Sequence, residues 1–196
     1  MKSGTIKKII IFTVMAVLII SYYVHISSKT AGNVEENYEK TVVSELLSKD
    51  TDLNYPGNPR DVVVYYSEII SAFYKEKLTE DQLVGLAQHA RALFDEELLE
   101  LNEYNEYMQR LREEIQSYKL NDKYIAEFLI ERASDVEYIV DNGVQYAEIN
   151  ALYYLKEGSE AKRTKTYEKY TLRKDENGNW KILFWETVPE NNFRGE

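Results

Sequence analysis

The spacing of apolar positions divides the chain into three regimes. From Ile9 to Val24 no position is charged, and His25 and Ile26 extend the run. At about 1.5 Å per residue, such a run is just long enough to cross a thin hydrocarbon core. Lys2, Lys7 and Lys8 precede it and no acid does, which places the amino terminus in the cytoplasm and the rest of the chain outside. Tyr22 and Tyr23 sit where interfacial aromatics belong. The run predicts an uncleaved transmembrane helix. The competing reading is a cleaved signal peptide, for which Thr30-Ala31-Gly32 is a poor cleavage site.

After a small polar linker the apolar positions recur at three and four. Val34, Tyr38, Val42, Val43, Leu46 and Leu47 predict a helix over 34–48, either a stalk or the first helix of a domain. Asn58-Pro59-Arg60-Asp61 is a helix start: Asn58 caps, Pro59 fits the first helical position and Asp61 favours the first turn. Val62, Tyr65, Tyr66, Ile69, Ile70 and Phe73 form its stripe. Thr79 to Gln82 has capping-box spacing, and Leu83, Leu86, Ala87, Ala90, Leu93 and Phe94 follow. Tyr104, Met108, Leu111, Ile115 and Tyr118 mark a third amphipathic helix.

From Lys123 the period falls to two. Tyr124, Ala126, Phe128 and Ile130 share a face, and Ala133-Ser134-Asp135 predicts a kink. Asp141-Asn142-Gly143 is a hairpin signal. Along 144–155, Ala147, Ile149, Ala151, Tyr153 and Leu155 make the better core set, because the alternate set carries Glu148 and Asn150. The segments 164–174 and 180–188 close a meander of four strands. The last is apolar on both faces, which predicts a central or doubly covered strand.

Charge and composition narrow the function. The 196 residues carry a net charge of -10, and an acidic surface repels phosphate backbones, which argues against nucleic acid as a partner. Cysteine is absent, which removes disulfides, thiolate metal sites and cysteine nucleophiles. Two histidines leave little material for triads or histidine metal sites. The eight glycines are scattered, with no phosphate loop among them. No cofactor and no metal are expected. Tyrosine is abundant, at 17 residues, and suits both half-buried strands and binding surfaces.

Three groups of residues are candidates for chemistry. His89 on the second capped helix reads more simply as a half-buried or surface histidine than as a general base. The cluster Asp95, Glu96, Glu97, Glu100 and Glu103 lacks the alternating loop of a calcium site and reads as a solvated acidic face. Tyr146, Glu148 and Tyr154 fall in a row on one strand face; they are the candidate ligand-binding set, against the plainer reading of tyrosines packing across an outer sheet face. No catalytic residues are assigned.

Helices followed by a late meander, closing on Asn177-Gly178-Asn179-Trp180-Lys181-Ile182, resemble the nuclear-transport-factor-like superfamily (SnoaL-like, cystatin-like cone) over 58–188. The whole chain resembles a family of single-span bacterial proteins. The pieces that carry this are Lys7 to Phe12, Asn54-Tyr55-Pro56 with Pro59-Arg60, Leu93 to Leu99, Ser134 to Tyr138 and Tyr170 to Trp185. In layout it is similar to single-span assembly subunits of conjugation machines. The resemblance implies a curved sheet wrapped on helices, often with a cavity at its mouth.

The expected fold class is therefore α+β: an N-terminal transmembrane helix, then about three helices on a curved, cone-like antiparallel sheet of four or more strands. The expected divisions are a cytoplasmic stub and anchor (1–26), linker and stalk helix (27–57), cone-like domain (58–188) and tail (189–196). The expected function is a binding or protein-interaction module without catalysis, anchored in the cell membrane through 9–24 with its domain outside. A protein partner or a second copy is its expected occupant. The alternative is a small-ligand-binding or enzymatic cone with a tyrosine-lined pocket.

Overall fold

Side-chain caps decide where the helices begin. The computed structural model describes residues 41–51, 53–158 and 162–194, within a compact unit spanning 40–196. Thr41 accepts from the Ser44 amide and opens α1 (Val42–Ser48). Asn58 accepts from the Asp61 amide at 3.0 Å and opens α2 (Pro59–Lys75), with Pro59 in the first turn. Thr79 and Gln82 cap each other reciprocally and open α3 (Glu80–Ala92). Asp95 accepts from the Glu97 amide and opens the short α4 (Glu96–Leu101), and α5 (Tyr104–Leu120) follows.

The strands are β1 (Tyr124–Ile130), β2 (Glu137–Asp141), β3 (Val144–Glu157), β4 (Lys162–Lys174) and β5 (Trp180–Thr187). They form one antiparallel sheet in the order β1-β3-β4-β5. β2 also pairs with β3, beside the other half of its length, so β1 and β2 act as one strand interrupted by the 3-10 turn Ala133–Asp135. The β2–β3 hairpin turns on Asn142 (φ 50°) and Gly143 (φ 85°), the positive pair that a two-residue turn of matching twist requires.

The helices cover one face of the sheet. α2 lies against β1, β3 and β5, while α1, α3 and α5 pack around it. Val62, Val63, Ile69 and Phe73 of α2, Leu86 of α3, Ala147, Ile149, Ala151 and Tyr153 of β3, and Tyr170, Leu172 and Ile182 are buried together. Each large side chain buried there stabilises the fold by roughly 1.5–3 kcal/mol. The core set expected on β3 is the buried one. Val43 and Leu46 join the same core, so α1 is a helix of the domain.

The expected fold class needs correction. Among the described residues the structure is α+β, with five α-helices and a five-stranded antiparallel sheet. No helix among the described residues is long and apolar enough to cross a membrane. The longest two, α2 and α5, have 17 residues each and carry charges throughout. The run 9–24, the expected anchor, lies outside the described residues, as does 34–40 of the first predicted helix. The helix count rises to five because α1 belongs to the domain and Asp95 caps a separate turn after α3.

Two expectations within the sheet also change, both through bulges. A register shift between Ile125 and Glu127 turns Ile125 inward, with Phe128 and Ile130, in place of Ala126. A second shift, between Thr171 and Leu172, lets Ile182 and Trp185 share the helix-facing side, opposite Leu172 and Tyr170. β5 is an edge strand and not a central one; Phe184 is 46% exposed and Trp185 37%. Part of its edge is covered by the chain between α3 and α4: Ile182 donates to Leu93 O and accepts from the Asp95 amide, both at 2.8 Å.

Candidate functional site

α2, α5 and the helix-facing side of β1, β3, β4 and β5 line a partly open cavity of about 180 Å³, to which β1 contributes Ile125. α2 contributes Tyr66, Ile70 and Tyr74, at spacings of four that share one helix face. α5 contributes Glu114 and Tyr118, β3 Tyr153 and Leu155, β4 Thr166, Glu168 and Tyr170, and β5 Trp185. The strand residues reach it because they alternate: 166, 168 and 170 share the face that carries Leu172 into the core.

The aromatic wall is packed ring to ring. Tyr66 lies 6.0 Å from Tyr170 in an edge-to-face arrangement and 5.6 Å from Trp185. Trp185 stacks at 6.0 Å on Tyr170, and Tyr74 stacks at 4.0 Å on Tyr118. Tyr170 is fully buried and Tyr153 is 3% exposed, whereas Glu114 stands exposed at the rim.

A line of oxygen contacts runs from the cavity into α2. Glu168 Oε2 is 2.9 Å from the Tyr170 hydroxyl, which is 2.9 Å from the Tyr153 hydroxyl. Tyr153 is 2.7 Å from Ser67 Oγ, which donates to Val63 O at 2.7 Å. The nearby Glu114 carboxyl adds to the burial that holds the Tyr74 phenol protonated. The Tyr66 hydroxyl makes no hydrogen bond among the described residues and, unlike Ser71 Oγ and Asn150 Oδ1, is not sealed from solvent.

Burial sets the electrostatics. It pushes the Glu168 carboxyl above the usual carboxylate range; the Tyr170 contact opposes this and the nearby Glu114 charge adds to it. Burial likewise raises Tyr66, Tyr74, Tyr118, Tyr153 and Tyr170, so none of these phenols is ionised at neutral pH. No Lys or Arg forms an ion pair with Glu114 or Glu168 among the described residues.

The candidates taken from the sequence lie elsewhere. Tyr146, Glu148 and Tyr154 alternate with the buried set of β3 and occupy the sheet face away from the helices. Glu148 meets Lys169 at 3.4 Å and Thr171 at 3.5 Å. Tyr154 lies 5.8 Å below the Lys165 ammonium, and Tyr146 sits between Ile139 and Arg173. Eight residues of strand separate the two tyrosines by roughly 27 Å, so the row does not converge. None of the three lines the cavity.

His89 is 2.6 Å from the Tyr65 hydroxyl, away from the cavity, and burial lowers its basicity. Asp95 differs from the solvated face expected of it: it is 4% exposed and forked by Arg173, whose Nε donates at 3.0 Å. Larger surface concavities surround this ion pair, but Arg173 is spent on Asp95 and Glu97, and Lys181 on Ala92 O. No group of three or more His, Asp or Glu among the described residues can hold a metal.

Residues 1–185 match a family described as a domain of unknown function, DUF6715. No curated protein matches the chain. Among solved structures, a de novo designed β-sheet protein determined by solution NMR is similar at 16% identity; the match covers 66% of this chain and 86% of that one, with a TM-score of 0.30.

Proposed function

The chain belongs to the DUF6715 family, and we propose that its described domain is a binding module that seats a small ligand in the tyrosine-lined cavity and performs no chemistry on it. The observation that carries this is the convergence of Glu114, Glu168 and the surrounding aromatic residues on one concave space. No histidine lines the cavity and burial keeps its phenols protonated, so we assign it no catalytic group. The volume, about 180 Å³, is below the roughly 300–1,000 Å³ of drug-sized sites, so the ligand is small.

The test is native mass spectrometry of the full chain with a mixture of small polar fragments, beside Thr166→Trp, which places an indole in the cavity. Retained fragments on the wild-type chain and none on the variant support the reading. Equal retention on both, or none on either, overturns it.

A second reading, protein interaction, is favoured by a different surface. Tyr138, Ile139, Val140 and Val144 are exposed on the β2–β3 hairpin, at the free edge of the sheet. Tyr138→Lys with Val140→Lys would abolish an association made through this edge. A monomeric wild-type chain with no strand-pairing partner would dismiss it.

A further inference from the structure

The chain of hydroxyls that ends at Glu168 is one proton short. Four contacts link Val63 O, Ser67, Tyr153, Tyr170 and Glu168, and each needs one hydrogen between its two oxygens. Ser67, Tyr153 and Tyr170 supply three hydroxyl hydrogens. Val63 O only accepts, so the Ser67 hydrogen is committed to it. An ionised Glu168 only accepts, so the Tyr170 hydrogen is committed to it. The single Tyr153 hydrogen then serves Ser67 or Tyr170 but not both, and one contact is left without a hydrogen unless the carboxyl carries one. A neutral Glu168 that donates to Tyr170 satisfies all four contacts in a single direction; an ionised Glu168 leaves two oxygens facing each other in a buried site, which is costly.

The empty chamber thus holds its acid uncharged, because nothing in it compensates a charge. The titratable groups that line the cavity with Glu168 are acidic or phenolic. They are Tyr66 and Tyr74 from α2, Glu114 and Tyr118 from α5, Tyr153 from β3 and Tyr170 from β4, while β5 offers the neutral Trp185. A cation does lie against this wall: Lys123 is over the Tyr118 ring, 4.8 Å from its centroid, but it forms no ion pair with Glu114 or Glu168 among the described residues. Electron-rich ring faces, two carboxyls without a basic partner and the unpartnered Tyr66 hydroxyl share one chemical complement. That complement is a small positive ion with an apolar surface, which aromatic cages attract through their quadrupoles and carboxylates through charge.

Resting on the binding role argued above, we infer that the cavity takes a small organic cation of the alkylammonium class in exchange for the Glu168 proton. The cation enters past Glu114 and seats against the tyrosines and Trp185. The Glu168 O–H bond breaks, its electron pair stays on the carboxylate and the proton passes to solvent. With Glu168 ionised, Tyr170 turns its hydrogen to the carboxylate, and the cation supplies the charge compensation that the empty chamber lacks. At about 180 Å³, six times the ~30 Å³ share of one liquid water, the space suits an ion such as tetramethylammonium and nothing much larger.

The test is calorimetric titration of the full chain with tetramethylammonium chloride, against tert-butanol as a neutral probe of similar shape and sodium chloride as a salt control. The expected result is saturable binding of tetramethylammonium alone. Affinity should rise with pH, and in mildly acidic buffers of different ionisation enthalpy close to one proton should be released. Glu168→Gln keeps the shape and the donated hydrogen, and should weaken binding about tenfold or more. Glu114→Gln, at the exposed rim where folding is unaffected, should weaken it by less. Equal or tighter binding of tert-butanol overturns the cation inference and leaves the binding role standing. Binding of tetramethylammonium without proton release, or undiminished in Glu168→Gln, overturns the exchange. If neither probe binds, the inference falls, and the fragment experiment decides the broader role by itself.

Discussion

Replacing Arg173 by alanine removes the cation from a carboxylate that has almost no access to water. Arg173 Nε donates to Asp95 Oδ2 at 3.0 Å, a second guanidinium nitrogen contacts Asp95 Oδ1, and Nη1 donates to Glu97 Oε1 at 2.7 Å. The Asp95 side chain is 5% exposed and that of Arg173 24%, whereas Glu97 is 61% exposed. The Glu97 contact contributes about 0–1 kcal/mol, as surface pairs do. The Asp95 contact is different: taking away one partner of a buried pair costs about 3–5 kcal/mol. Asp95 also caps α4, and its backbone bonds to the β5 edge, so the loss loosens that whole junction. For a domain of this size, 1 kcal/mol moves the midpoint by about 2–4 °C, so Arg173→Ala should melt roughly 6–20 °C lower. Urea denaturation and thermal melts followed by circular dichroism measure this directly. The double variant Asp95→Asn, Arg173→Met, which removes both charges, should recover part of the loss. An Arg173→Ala cost below about 1 kcal/mol would refute the reasoning, because it would place the pair among solvent-screened surface contacts.

Glu168→Gln should change stability with pH in a definite direction. Burial raises the folded-state pKa of Glu168, so its contribution is fully present below the usual carboxylate range and is lost as pH rises through the folded value. The variant should therefore gain on the wild type as pH rises above about 4 by urea denaturation; a flat or reversed difference would contradict the neutral carboxyl. Gly143→Ala places a side chain at φ 85°, where L-residues are strained, and should cost about 1–2 kcal/mol while leaving the cavity unchanged. Thr79→Ala removes half of a reciprocal cap and should cost about 1 kcal/mol. Hydrogen exchange should show that loss concentrated in the first turn of α3.

Local chemistry made much of the fold legible. Asn58, Thr79 and Asn142-Gly143 act within three or four residues of themselves, and the structure uses each as the sequence suggests. The inward set of β3 is legible too, because a strand buried on one face must alternate. The bulges at Ile125/Glu127 and Thr171/Leu172 are not, since nothing in the alternation of either strand marks where the register shifts. Nor is the edge position of β5, whose two-sided apolarity reflects aromatic packing onto Tyr66 and Phe94 on one side of a shift in register.

The cavity was beyond local reading for the same reason. Tyr66 and Tyr153 read as core residues, which they are; their second role arises only where α2, α5 and four strands meet. A signal was present in β4, where Glu168 interrupts the inward alternation of Thr166, Tyr170 and Leu172 with a carboxyl. The row Tyr146, Glu148, Tyr154 drew attention by its regular spacing, but spacing along one strand spreads residues apart and cannot make them converge.

The account turns on the charge state of one side chain, and carboxyl carbon NMR of Glu168 reads that state directly. In the free chain the Glu168 carboxyl should keep its proton to a pH well above that of the exposed glutamates, and saturating tetramethylammonium should bring its titration down. A Glu168 carboxyl that titrates with the exposed glutamates, and does so equally with and without the cation, would contradict the account.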